Sequence, residues 1–114
     1  MDKSEAKRQY KEAKRPMGVF AIINNQTETC FLGTALDVAA GINRHRSELR
    51  FGGHRNRELL AQWKAQDGEG FEFTELDQLE QEEDSQADPR EELKLLREML
   101  VSKMEEKGYR VVLL

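Results

Sequence analysis

The chain has 114 residues, 35% of them charged, and a mean hydropathy of -0.79. That length suits one small domain, and no apolar run approaches the roughly 20 residues that span a membrane, so no membrane partner is expected. The formal net charge of -4 divides unevenly: residues 1–66 have a net charge of +5 and residues 67–114 a net charge of -9. This asymmetry is typical of a protein with a basic binding face.

The N-terminal residues 1–16 are charged and lack the apolar segment of a secretory signal. We expect them to form a charged extension ahead of a single domain over residues 17–114. The only cysteine, Cys30, excludes an internal disulfide framework and favours a reducing, cytoplasmic compartment. Cys30 itself is expected to be a small core residue on a strand.

A β-hairpin is predicted over residues 18–33, GVFAIINNQTETCFLG. Its β-branched and aromatic residues flank a polar centre, which is typical of two strands joined by a turn. A two-residue loop at residues 25–26 would place Phe20 opposite Phe31. Apolar residues occur on both faces, so one face is expected to be covered and the other to be functional or partly buried.

Two helices are predicted next. Apolar spacing indicates an amphipathic helix over residues 36–49, which Gly52 and Gly53 would end. A second helix is predicted over residues 54–66, with Trp63 on its buried side. The segment GEGFEF, residues 68–73, then predicts a third strand, because Phe71 and Phe73 alternate with polar residues.

The acidic segment DQLEQEEDSQAD, residues 77–88, is expected to be an exposed loop. The last helix is predicted over residues 90–107, because Asp88 can cap it and Pro89 suits its first turn. The terminal YRVVLL is interpreted as a short strand or a docked tail. The order strand, strand, helix, helix, strand, helix predicts a small α+β domain with a three-stranded, mainly antiparallel sheet flanked by helices.

The tripeptides GVF and FLG, residues 18–20 and 31–33, resemble the two signature tripeptides of the GIY-YIG nucleases. The similarity continues through TALDVAAGINRHR, HRNRELLAQW, GFEF and ELKLLREMLVSKM in the family's order. It covers roughly residues 17–107 and is greatest to small stand-alone bacterial members. The resemblance implies a GIY-YIG nuclease-like fold.

In active members, as the resemblance implies, a tyrosine of each tripeptide positions the attacking water. An arginine of the first helix stabilises the phosphate, and a glutamate of the last helix holds a divalent metal. In this sequence Arg97 stands at the position of the metal-binding glutamate. The next residue, Glu98, lies about 100° around the helix and would not replace that glutamate without a register shift. We therefore predict no catalysis, no cofactor and no metal. The residues found at the four family positions are Phe20, Phe31, Gly41 and Arg97.

The densest basic segment is residues 43–57, NRHRSELRFGGHRNR. Arginines around a helix–Gly-Gly–helix junction can hold phosphates bidentately, and the second helix would add its dipole. A solvated surface with ion pairs to the acidic residues is the competing interpretation. No metal site is predicted at His45 and His54, because no cysteine or carboxylate stands at a suitable spacing. The candidate nucleic-acid contacts are Arg44, His45, Arg46, Arg50, Arg55 and Arg57; the family often has histidine at the position of His45.

These observations predict a non-catalytic module that binds DNA or RNA through the basic segment. Two alternatives stay open. The first is a protein-interaction or structural module whose apolar face, with Phe20 and Phe31, contacts a protein partner or a second copy. The second is an active endonuclease with relocated catalytic groups.

Overall fold

The computed structural model describes residues 16–81 and 86–114. The predicted N-terminal extension therefore lies outside the described residues, apart from Pro16. No helix in the described ranges has the length and apolar character needed to cross a membrane. The elements are β1 (Met17–Asn24), β2 (Thr29–Ala35), α1 (Val38–Arg50), α2 (Arg57–Ala65), β3 (Phe71–Leu79), α3 (Pro89–Glu106) and β4 (Arg110–Leu113).

The sheet has four strands in the order β3-β1-β2-β4. β1 pairs antiparallel with β2 and β3, whereas β4 runs parallel to β2. The prediction of an α+β domain is confirmed, but the prediction of three mainly antiparallel strands is wrong. The terminal segment forms the extra strand because the Arg110 and Leu114 N–H groups donate to the Glu28 and Leu32 carbonyls at 2.9 and 2.7 Å.

The hairpin register differs from the predicted one by two residues. Residues 25–28 form a four-residue turn, so Phe20 lies opposite Gly33 and Ile22 opposite Phe31. The Asn24 side chain accepts the backbone N–H of residue 26 at 3.0 Å, which favours the longer turn. A shift of two residues keeps every side chain on its face. Phe20 and Phe31 therefore share one face, as predicted.

Both faces of the sheet are covered by helices. α3 packs on the face that contains Cys30, and α1 and α2 pack on the face that contains Phe20 and Phe31. Cys30 is fully buried, as predicted, and burial raises its pKa to about 11. Phe20 and Phe31 are only 1% and 0% exposed. Both rings are therefore covered within the described domain, and the interaction of this face with a protein partner or a second copy stays an untested alternative.

Several element boundaries differ from those predicted. α1 begins at Val38 because the Asp37 side chain accepts the Ala40 N–H at 3.1 Å. α2 begins at residue 57, after the cap Asn56. β3 continues to Leu79, which pairs with Met17, so β3 pairs with β1 along the full length of β1. The acidic segment predicted as a loop from residue 77 therefore starts inside a strand, and its residues 82–85 lie outside the described part.

Candidate nucleic-acid interface

A cavity of about 320 Å³ lies between the sheet, α1 and the segment that leads into α2. The sheet supplies its apolar floor, and the two helical segments supply its ionisable side chains. Asn56, the N-terminal cap of α2, lies at its wall, so the positive end of that helix dipole is near the cavity. The lining residues are Phe20, Gly33, Thr34, Arg44, His45, Glu48, His54, Arg55, Asn56 and Leu114.

The floor is formed by the Phe20 ring lying against Gly33. A Cβ atom on Gly33 would be 2.4 Å from Cζ of Phe20, closer than carbon atoms can approach without a shift. The ring also contacts His45, with 5.2 Å between ring centroids. Because Cζ would bear the hydroxyl of a tyrosine, the cavity is lined here by a carbon edge with no proton to transfer.

His45 and His54 form a hydrogen-bonded pair at the wall. Nδ1 of His45 is 2.7 Å from Nε2 of His54, and the backbone N–H of Asn56 donates to Nδ1 of His54 at 3.0 Å. Since Nδ1 of His54 is an acceptor, the neutral ring has its proton on Nε2 and donates it to His45. The proton of neutral His45 is then on its own Nε2, and this N–H group remains available as a hydrogen-bond donor.

The pKa of each histidine is lowered, in both cases chiefly by burial of the ring. The charges of His54 and then Arg44 lower the pKa of His45 further, while Glu48 raises it. For His54, Glu48 raises the pKa and Arg44 lowers it. Since the ordinary pKa is about 6.5, both rings are neutral at pH 7, in agreement with the proton order given by the hydrogen bonds.

Glu48 is a neighbour of the histidines that the sequence analysis did not predict. Ligand atoms of His45, Glu48 and His54 all lie within 4.8 Å of one another, so the expectation that no carboxylate partners the histidines is wrong. The three-residue separation of His45 and Glu48 on one helix is the signal that was available. A metal on Nε2 of His54 would displace the proton from that nitrogen and oppose the Asn56 N–H, so the observed arrangement does not favour a metal.

The six predicted contacts do not form one surface. Arg44, His45 and Arg55 line the cavity. Arg46 instead lies over the Phe73 ring, 4.6 Å from its centroid, and Arg50 lines a second, open cavity beside Lys64. The division follows from helix geometry, because residues two apart on α1 point about 200° apart. Arg57 is exposed at the first position of α2.

Comparisons with known proteins support the fold. No protein-family model matches the sequence, and no curated protein matches it at a significant level. The catalytic domain of the homing endonuclease I-TevI is similar in structure, with a TM-score of 0.64 and 18% identity over 84% of this chain and 97% of that chain. A mutant of the catalytic domain of intron endonuclease I-TevI has a TM-score of 0.63 and 20% identity over 83% and 92% of the two chains. The chain has a GIY-YIG nuclease-like fold.

Within this GIY-YIG nuclease-like fold, two of the four substituted positions lie together. Phe20 lines the cavity, and a Cβ on Gly41 would be 3.7 Å from its ring and 3.0 Å from Cβ of Ala35. Gly41 is one helical turn before His45, so an arginine there would point along the cavity side of α1. Phe31 is buried in the core beneath the helices. Phe20, Phe31 and Gly41 therefore place no hydroxyl and no guanidinium at these three positions.

The fourth position, Arg97, lies on α3 and extends toward the end of β4. Its Nη1 donates to the Leu114 carbonyl at 3.4 Å, and its buried Nε has no hydrogen-bond partner among the described residues. A half-buried guanidinium repels a cation. The neighbouring Glu98 is exposed. The residues present at this position do not fit the divalent metal that the GIY-YIG nuclease-like fold implies.

Proposed function

We propose that this domain binds nucleic acid without cleaving it, and that the cavity beside Phe20 receives a backbone phosphate. The observation that supports this most directly is the pairing of Arg44 and Arg55 at one cavity on a nuclease-like fold. Planar guanidinium groups bind phosphate oxygens through two parallel hydrogen bonds. The Nε2 proton of His45 and the start of α2 would add two further sources of positive potential.

The charge balance of the cavity is consistent with an anionic ligand. Among its described lining residues, Arg44 and Arg55 are cationic, both histidines are neutral at pH 7, and Glu48 is anionic. Glu48 is engaged with Arg44 at 3.8 Å. The Arg44 side chain is nevertheless 72% exposed, so it remains free to turn toward a phosphate. Two arginines against one glutamate give the lining side chains a net charge of about +1, in contrast to the acidic second part of the chain.

The absence of cleavage is proposed from the residues at the four family positions. Phe20 and Phe31 have no hydroxyl, Gly41 has no side chain, and Arg97 replaces a metal-binding carboxylate. Loss of a single preorganised donor lowers the rates of enzymes by about 10²–10³. Losing all of these groups together leaves a site that can position a phosphate but lacks the groups by which the family activates water and stabilises the leaving oxygen. The domain is proposed to act as a DNA- or RNA-binding module.

Fluorescence anisotropy with labelled duplex and single-stranded DNA and RNA, at several salt concentrations, tests the proposal. Arg44→Ala and Arg55→Ala should each weaken duplex binding. Each should also reduce the slope of log K against log salt by about 0.9, the value for one lost phosphate contact. Arg90→Ala is the matched control, since Arg90 is an exposed arginine on α3, which packs on the opposite face of the sheet. Affinity that does not respond to salt or to the two cavity arginines would reject the proposal.

A further inference from the structure

Phe51 is an aromatic residue that the fold leaves in solvent. Its side chain is 90% exposed, directly after the last residue of α1. The turn that holds it is well defined, because the Phe51 N–H donates to the Ser47 carbonyl at 3.0 Å and the Gly53 N–H to the Glu48 carbonyl at 2.8 Å. Gly52 between them has φ +76°, a conformation that favours glycine. The ring is therefore projected from a fixed helix end.

Cationic side chains flank this ring. Arg50 precedes it, and Lys64 of α2 faces it across an open cavity of about 540 Å³ that Trp63 also lines. In the described part of the chain, Asp67 is the one acidic residue that lines this cavity. An exposed aromatic ring between two cations does not contribute to the protein core. It suits a ligand that has both flat apolar groups and negative charges.

The surface continues along α1. Arg46 is one turn before Arg50 and lies about 40° from it around the helix. Its guanidinium packs over the Phe73 ring, and Phe73 lies 6.1 Å from Trp63 by ring centroids. Aromatic and cationic side chains therefore lie close to one another here, and none of them lines the cavity of Arg44 and the histidine pair. We name Arg46, Arg50, Phe51 and Lys64 the Phe51 surface.

We propose that the Phe51 surface binds an unpaired segment of nucleic acid, with one base stacked on the Phe51 ring and the flanking phosphates held by Arg50 and Lys64. Stacking on an isolated ring requires a base that has left its own stack, which selects single strands, loops or ends over an intact duplex. The inference takes its class of partner from the proposed function, but it uses none of the cavity residues.

The test compares a labelled single-stranded oligonucleotide with a duplex of the same length. Phe51→Ala should weaken single-strand binding roughly 5- to 150-fold, the range that loss of one stacked base gives. It should leave the salt slope unchanged, because no charge is lost. Arg50→Gln should reduce the slope by about 0.7 on single strands. Phe51→Trp should restore affinity. Met99→Ala is the control, since Met99 is also largely exposed but lies on α3, and it should bind as the unchanged protein does.

The outcomes separate this inference from the proposed function. Single-strand affinity that Phe51→Ala leaves intact overturns the inference, whatever Arg44→Ala does to duplex binding. In another outcome, Phe51→Ala weakens single-strand binding while Arg44→Ala and Arg55→Ala leave duplex binding unchanged. That outcome supports the Phe51 surface and rejects phosphate binding at the cavity beside Phe20. An equal loss for duplex and single strand also overturns the inference, because a stacked unpaired base would not be its cause.

Discussion

Two neutral histidines at the cavity form one line of hydrogen bonds that starts from the Asn56 backbone. His54 is only 7% exposed, so protonating it would place a charge in a poorly solvated position beside its partner. Arg44 opposes a positive charge there and Glu48 favours one. Burial outweighs the carboxylate, and the pKa values of both rings are lowered.

This gives a prediction for the pH dependence of stability. Histidines of the unfolded chain titrate near pH 6.5, and those of the folded domain titrate lower. Below pH 6.5 the unfolded state therefore binds more protons, and the free energy of unfolding should fall as the pH decreases from 6.5 toward the lowered pKa values. Above pH 6.5 this contribution should be fully present.

Urea unfolding at pH 7.5 and pH 5.0 measures the effect. His45→Gln, which removes one of the two titrating rings, should show a smaller difference between these pH values than the unchanged protein does. Equal free energies of unfolding at both pH values would contradict the prediction.

Gly33 sets the position of Phe20. Gly33→Ala should destabilise the domain by about 1–3 kcal/mol, because the new Cβ would overlap the Phe20 ring and force it from its place. Gly53→Ala is the matched control: nothing lies within 4 Å of its Cβ position, and a change within about 0.5 kcal/mol is expected. Urea unfolding measures the free energy of unfolding of the two variants and of the unchanged protein. Combining Gly33→Ala with Phe20→Leu should recover part of the loss, and additive losses would contradict the steric cause.

At the scale of the elements, a buried amide network fastens the β1–β2 hairpin to α2. Asn24 is fully buried, and its Nδ2 donates to Oε1 of Gln62 at 2.8 Å and to Oε1 of Gln66 at 2.6 Å. Nε2 of Gln66 donates back to Oδ1 of Asn24 at 3.1 Å. Asn24 ends a strand that is otherwise buried and apolar over most of its length. Its Nδ2 is satisfied by Gln62 of α2 and by Gln66, the C-terminal cap of that helix, and its Oδ1 also accepts the backbone N–H of residue 26.

Asn24→Ala should therefore cost about 1–3 kcal/mol of stability, since it removes the hydrogen bonds that a fully buried amide makes to two half-buried glutamines and to the turn. Asn25→Ala is a close control, because Asn25 is exposed and its contact with Gly70 uses the backbone N–H. It should change stability by less than about 0.5 kcal/mol. Thermal unfolding monitored by circular dichroism would compare the two. Equal melting temperatures for both variants would show that the network contributes little.

At the scale of the whole molecule, a nuclease-like fold without the family's catalytic groups should not cut DNA. Supercoiled plasmid incubated with the purified protein and Mg²⁺ or Mn²⁺ should show no nicking above background. The physical reason is the loss of the phenols, the arginine and the metal-binding carboxylate at Phe20, Phe31, Gly41 and Arg97. A phosphate held at the cavity would then meet none of the four groups with which the family cleaves DNA.

His45→Ala and Glu98→Gln provide the controls for this experiment. Nicking that persists through purification and disappears in either variant would contradict the prediction. It would favour the alternative of an endonuclease with relocated groups. The same background level in the unchanged protein and both variants would assign the nicking to a contaminant.

Local sequence signals determined much of this architecture. β-branched runs around a polar centre specified the hairpin, and the leucine spacing with the Asp88 cap specified α3, because these patterns act over one or two turns of chain. The tripeptides GVF and FLG in their setting indicated the GIY-YIG nuclease-like fold. The predicted hairpin also placed Phe20 and Phe31 on one face, which is confirmed even though the predicted register was wrong by two residues.

Tertiary structure alone decided the rest. The parallel β2–β4 pair joins residues about 80 positions apart, and no local pattern encodes such pairing. Glu48 approaches His54 only because the Gly52 turn folds α1 back toward the α2 cap. The basic segment is continuous in sequence, but the rotation of α1 places Arg44 at the cavity beside Phe20 and Arg50 on the Phe51 surface. Side-chain direction on a helix depends on rotation by 100° per residue, and which directions meet a neighbour depends on the packing of the whole chain.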